Sequence, residues 1–153
     1  MKMAMKKSIV ALMGVVAGSA LANNAIAPVD NLFDAMRAHD EQKLLLQFTA
    51  DAVLQRAKND GSTQTTDIRK FAKAIGQANA FLDEKLLSVS VHQSGNLASV
   101  WTPYVFYRDS EFSHCGVNSF QLVHTAEGWK IHYLIDNVFT GSCDDFIATH
   151  SSP

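Results

Sequence analysis

Charge is scarce in this chain, and so are cysteine and repetition. Only 18% of the 153 residues are charged, against 47% hydrophobic. That balance excludes a disordered acidic or basic tail and leaves one compact domain as the expectation. No internal repeat or low-complexity segment interrupts it. Positive charge is thinner still once Lys2, Lys6 and Lys7 are set apart: ten basic residues then face fifteen acidic ones, a net charge near −5. A nucleic-acid partner is excluded on that ground, because a phosphate backbone needs a basic face. Six histidines stand at 39, 92, 114, 124, 132 and 150, but no two are at ligand spacing on one helix. The spacing therefore offers no metal site, and no cofactor is expected.

Apolar runs long enough to cross a bilayer are missing too. Ile9 to Leu21 is free of charge but covers only thirteen residues, short of the roughly twenty a spanning helix needs. It follows three lysines and ends in Ala20-Leu21-Ala22, with small residues at the two positions a signal peptidase reads. Residues 1–22 are read as an export signal and 23–153 as the mature domain, periplasmic or secreted and free of the membrane after cleavage. Two cysteines, Cys115 and Cys143, then sit in an oxidising compartment and permit a single disulfide. A bridge requires the tail to fold back after Gly141, so bridged and free thiols both stay open.

What the chain does have is pattern. Pro28 and the apolar residues Val29, Leu32, Phe33 and Met36 predict a first helix, and Leu44, Leu45 and Phe48 a second short one. Val53 to Gln55 reads as a short strand, followed by a loop over Lys58–Ser62. Asp67 and the stripe Ile68, Phe71, Ala72, Ile75 and Ala78 predict a third helix. From Leu82 the period changes to two. One strand over 82–92 and three longer ones between Asn96 and Phe139, turning at Asp109-Ser110 and Ala126-Glu127, give a four-strand antiparallel meander. Helices first and strands afterwards mean an α+β domain.

Simple hairpin register places Trp101 near Asn118, Pro103 near Gly116, Phe120 opposite Tyr133 and Asn118 opposite Ile135. Trp101, His114, Asn118, Phe120, Leu122, Trp129, Ile131, Tyr133 and Ile135 then share the face that the helices cover. A bulge at Pro103 would exchange Trp101 for Tyr104. The expected pocket set is Trp101, Tyr104, His114, Asn118, Phe120, Tyr133 and Ile135, an apolar lining with a few polar groups suited to a small apolar or aromatic ligand. His114 is the candidate general base, since burial would keep its imidazole neutral. Asp136 is expected to point outside. The opposite face, with Tyr104, Phe106, Val100, Val117 and Val123, is too apolar for solvent and predicts a homodimer.

The element order, with Val100–Tyr107, His114-Cys115-Gly116-Val117, Phe120–Val123 and Gly128-Trp129-Lys130-Ile131, resembles the nuclear transport factor 2-like superfamily over about Val29 to Phe139. The likeness is to its exported, SnoaL-like bacterial members of unassigned activity. It implies a cone, a curved antiparallel sheet wrapped around the N-terminal helices, with a cavity open at one end. The functional expectation is an exported small-molecule-binding domain without turnover. The alternatives are an isomerase-, cyclase- or hydratase-type enzyme using His114, with Tyr133 and Asn118 orienting substrate, or an adaptor with a vestigial cavity.

Overall fold

Pro28 stands in the first turn of helix α1 (Ala27–Arg37), where a missing N–H is no loss, and Val29, Leu32, Phe33 and Met36 form the buried stripe of that helix. The structure, a computed structural model, describes residues 24–151, so the export segment read at 1–22 lies outside the described residues. His39 turns the chain with φ 54°. The Asp40 carboxylate then accepts from the Lys43 amide at 2.9 Å and caps the short helix α2 (Glu41–Leu45). Phe48, expected on that helix, instead opens strand β1 (Phe48–Ala57). β2 (Thr63–Thr66) folds back on β1, and Asp67 caps α3 (Ile68–Gly76).

The single strand expected over 82–92 is two strands, β3 (Leu82–Leu86) and β4 (Ser90–Ser94), which pair with different halves of β5 (Leu97–Arg108). β6 (Glu111–Thr125) and β7 (Gly128–Val138) complete the sheet. A further helix, α4 (Cys143–His150), had no counterpart in the pattern reading.

The domain is α+β, but it is not the expected cone. The seven strands run β2-β1-β7-β6-β5-β3, with β4 also on β5. This sheet is mixed, because β1 lies parallel to β7. It neither closes nor curls strongly around the helices: β2 and β3, four and five residues long, stay as free edges with four longer strands between them. Closure needs edges that pair. Helices α1 to α3 lie instead against one face, and Leu32, Phe33, Leu44, Phe48, Ile75, Val100, Phe120 and Ile131 join the two layers in one core.

Both long hairpins turn where the sequence places them: Arg108 pairs with Glu111, and Thr125 with Gly128. Further along, each ladder slips. Tyr107 pairs with Phe112 but Phe106 with His114, which leaves Ser113 unpaired. Leu122 pairs with Ile131 but Gln121 with Tyr133, which leaves His132 unpaired. Such a bulge moves the register by one residue and exchanges the faces beyond it. Trp101 therefore stands opposite Ser119 rather than Asn118, and Pro103 opposite Val117 rather than Gly116. Phe120 meets Leu134, and Asn118 meets Asp136. There is no slip at Pro103. The whole of β5 and the second half of β7 thus turn over. Val100, Thr102, Tyr104, Phe106, Leu134 and Asp136 face the helices, while Trp101, Tyr133 and Ile135 face away.

Opposite Tyr104 the chain needs Gly116. A Cβ there would stand 2.0 Å from the Asn137 carbonyl oxygen and 2.8 Å from the Tyr104 hydroxyl, well inside contact distance. On the outer face, Phe146 and Ile147 of α4 pack with Val105, Cys115, Leu87 and Val117. The tail does fold back, and Cys115 and Cys143 are joined in a disulfide with Cα atoms 5.9 Å apart. Part of the apolar surface expected to serve a dimer is thus covered by the chain's own last helix.

The bridge closes a loop of 28 residues, for which loop-closure entropy gives roughly 3 to 4 kcal/mol. Replacing both cysteines, Cys115→Ala with Cys143→Ala, is expected to lower unfolding stability by about 2 to 4 kcal/mol in urea titrations. An unchanged midpoint would mean that packing alone holds α4.

Candidate functional site

A cavity of about 340 Å³ lies between the helices and the sheet. The helical side is wholly apolar, with Leu32, Phe33 and Met36 from α1 and Phe71 and Ile75 from α3. Every polar side chain turned into the cavity comes from a strand: Arg56, Gln64, Thr66, Glu84, His114, Asn118 and Asp136. The ladder sets them in rows. Arg56, Asp136, Asn118 and Thr102 stand abreast on β1, β7, β6 and β5. Four residues along β6, Glu84, Phe106 and His114 form a second row across β3, β5 and β6.

Within these rows the polar groups find each other. The Asn118 amide donates to Glu84 Oε1 at 2.6 Å and reaches Thr102 Oγ1 at 3.4 Å. The Arg56 guanidinium holds the Asp136 carboxylate by two edges, Nε to Oδ1 at 3.0 Å and Nη2 to Oδ2. Burial pushes the Glu84 carboxyl up to about 8 from an ordinary 4.5, and the nearby Asp136 charge adds to this against the Asn118 bond and Arg56. Burial holds the His114 imidazole below its ordinary value, helped by Arg56 and opposed by Asp136. At neutral pH the cavity therefore holds a protonated carboxyl and an uncharged imidazole. The His114 ring lies 5.1 Å from Phe106 and stands edge-on to Tyr104 at 5.8 Å, with Nδ1 3.0 Å from the Ser113 hydroxyl. Burial raises the Tyr104 phenol, which donates to the Asn137 carbonyl at 2.9 Å and stays a neutral donor.

Of the residues singled out from the sequence, His114 and Asn118 line the cavity. Tyr104 is buried beside His114, and Phe120 is buried in the core, edge-on to Phe33. Trp101 is 50% exposed on the outer face. Tyr133 donates to Gln55 Oε1 at 2.8 Å on that same face, and Ile135 lies there too. Glu84 and Arg56 were not singled out, and Asp136, expected to point outside, lines the cavity because the slip at His132 turns it inward. Glu84 carried a readable mark, an acidic side chain between Leu82 and Leu86 in a run of period two, which sets it on the inward face of β3. Asp136 and Arg56 carried none, since their direction depends on the slip at His132. Among the described residues no three of His, Cys, Asp and Glu gather as a metal ion would require, and no helix is long and apolar enough to cross a membrane.

No protein-family model matches the sequence, and no curated protein does. Solved structures do match in shape. A Mycobacterium tuberculosis protein of unknown function superposes with a TM-score of 0.64 at 15% identity, covering 77% of this chain and 71% of its own. A Streptomyces avermitilis protein, provisionally named a dehydratase of the NTF2-like family, gives 0.63 at 16% identity over 75% and 93% of the two chains. A Novosphingobium aromaticivorans protein, provisionally named a scytalone dehydratase, gives 0.61 at 13% identity over 74% and 80%. The chain has the NTF2-like, cystatin-like fold. At these identities the likeness speaks for the fold alone, and on an NTF2-like scaffold the chemistry must be read from the cavity.

The raised carboxyl has a measurable consequence. Between pH 4.5 and about 8 the folded protein keeps a proton on Glu84 that the unfolded chain has released. The stabilisation from Glu84 is complete below 4.5 and declines as pH rises through about 8, by up to about 1.4 kcal/mol per pH unit. Glu84→Gln should flatten that decline in urea titrations between pH 5 and 9. Parallel curves for the two proteins would mean that Glu84 titrates normally.

Proposed function

We propose that the protein is an acid–base enzyme of the isomerase, cyclase or hydratase type, acting on a small molecule held in the helix–sheet cavity. The observation that carries this reading is the pairing of a carboxyl pushed up to about 8 with an imidazole held down, both on one cavity wall. An acid that keeps its proton at pH 7 and a base that stays uncharged are what proton transfer in both directions requires. A site that only held an apolar ligand would gain nothing from either. Two of the matching folds carry provisional dehydratase names, which favours the same class.

The roles follow from position. Nε2 of His114 has no hydrogen-bond partner among the described residues and, when Nδ1–H donates to the Ser113 hydroxyl, presents its lone pair as base. Glu84 supplies a proton to a departing or developing oxygen, and Asn118, bonded to Oε1, leaves the other carboxyl oxygen for substrate. The apolar walls from α1 and α3 exclude water and suit a small, largely apolar or aromatic body, and a volume near 340 Å³ is at the small end of ligand cavities. We propose export as well. It is supported by the N-terminal segment's charge and apolar pattern and by the Cys115–Cys143 bridge, which fits an oxidising compartment.

Deuterium incorporation reads the proton step without knowledge of the natural substrate. A panel of small cyclic ketones and hydroxylated rings incubated in D₂O with the protein should show catalysed exchange at carbon for at least one member. His114→Ala and Glu84→Gln should each lower the rate by about 10²- to 10⁴-fold with the fold intact by circular dichroism. Exchange that continues unchanged in His114→Ala would remove the imidazole from the mechanism.

A further inference from the structure

Resting on the reading of the cavity as a small-molecule site, we infer that its outer rim, formed by Arg56, Gln64 and Thr66, is a carboxylate-binding subsite, and that the ligand is an apolar monocarboxylate. These three residues face the cavity from the β1–β2 edge, where Arg56 pairs with Gln64 and Leu54 with Thr66. Asp136 takes Nε and Nη2 of Arg56, and Nη1 has no partner among the described residues. The Gln64 amide and the Thr66 hydroxyl likewise make no side-chain hydrogen bond with the described residues. Three sets of unused donors thus converge on one end of an otherwise apolar chamber.

The ion pair is also oriented. Asp136 is 14% exposed and Arg56 46% exposed, so the cation is the more solvent-facing partner of the pair. An anion at the rim is attracted by the guanidinium at short range, while the more buried Asp136 acts from further off and partly shielded. Inside, the protonated Glu84 and uncharged His114 offer no charge to bind an anion, and the helical walls offer only carbon. A ligand that satisfies all three zones has an apolar body, oxygen functions facing the sheet, and a carboxylate left at the rim. The same arrangement disfavours an ammonium there.

The test uses 2-naphthoate and its uncharged isostere 2-naphthamide, titrated calorimetrically at pH 7 into the full mature protein. 2-Naphthoate is expected to bind at least about tenfold more tightly than 2-naphthamide, as one charge-assisted contact predicts. The double variant Arg56→Gln with Asp136→Asn removes the pair without leaving a buried charge alone. It should erase that preference, bringing the two affinities within about twofold of each other. Equal affinities in the unmodified protein, or equal losses of both probes in the double variant, would overturn the subsite and leave the cavity standing. Binding of neither probe would overturn the subsite together with the small-molecule reading beneath it.

Discussion

Two residues without ladder partners, Ser113 and His132, decide what the cavity is made of. Suppose Ser113 were paired. Trp101 and Pro103 would then turn inward, and Tyr104 and Phe106, which now flank His114, would turn to the outer face. Suppose His132 were paired. Tyr133 and Ile135 would fill the chamber, and Asp136 would leave it, stranding Arg56 without its counter-ion. In a sheet with one face on a core, a slip of one residue is a change of chemistry rather than of fit. The displaced side chains settle at the surface: Ser113 lies within reach of His114, and His132 Nδ1 lies 3.1 Å from the Thr49 hydroxyl and 3.7 Å from Asp51. Neither bulge leaves a polar side chain stranded in the core.

With the register fixed, the electrostatics follow from where each charge has a partner. A lone carboxylate in a chamber walled by Leu, Met and Phe is costly, and two responses are available: pairing, or taking up a proton. Asp136 has the first, through the fork of Arg56 from the neighbouring parallel strand. Glu84 makes no ion pair among the described residues and takes the second, with Asn118 satisfying one oxygen. Arg56, which forks the Asp136 carboxylate, also discourages charge on His114. Burial moves both Glu84 and His114 toward their uncharged forms, and the two members of the ion pair act on each of them in opposite directions.

The first and third helices and both long hairpin turns were legible in the sequence; the split of 82–92 into β3 and β4, the last helix and most strand directions were not. Pro28, Asp67 and the Asp109-Ser110 turn are read correctly because the cause is local: a fixed φ, a capping oxygen, a pair of residues at φ 50° and 68°. The sheet's β6 was also oriented correctly, and with it His114 and Asn118. A bulge has no such local cause here. Ser113 and His132 are ordinary strand residues in composition, and the slips arise only when two ladders and a helix layer are satisfied together. The parallel pairing of β1 with β7, between residues some eighty positions apart, is non-local in the same way, and so is the fold-back of α4. The open, mixed sheet was missed for that reason, since a meander read strand by strand supplies only antiparallel neighbours.

The segment His114–Asn118 is held from both sides, which bears on how a loop-free site keeps its geometry. On the inner face His114 packs against two aromatic rings and Asn118 is bonded to Glu84. On the outer face Cys115 is tied to α4, and the Val117 amide donates to Asn137 Oδ1 at 2.9 Å. Between them Gly116 admits the Asn137 carbonyl and the Tyr104 hydroxyl to contact distances that a Cβ would forbid. Alternation along the strand makes this possible, because each inward functional residue has an outward neighbour free to serve as an anchor. Polar side chains placed on such a segment lose little entropy on meeting a ligand, and this is the condition under which a few well-aimed polar groups in a small apolar chamber suffice.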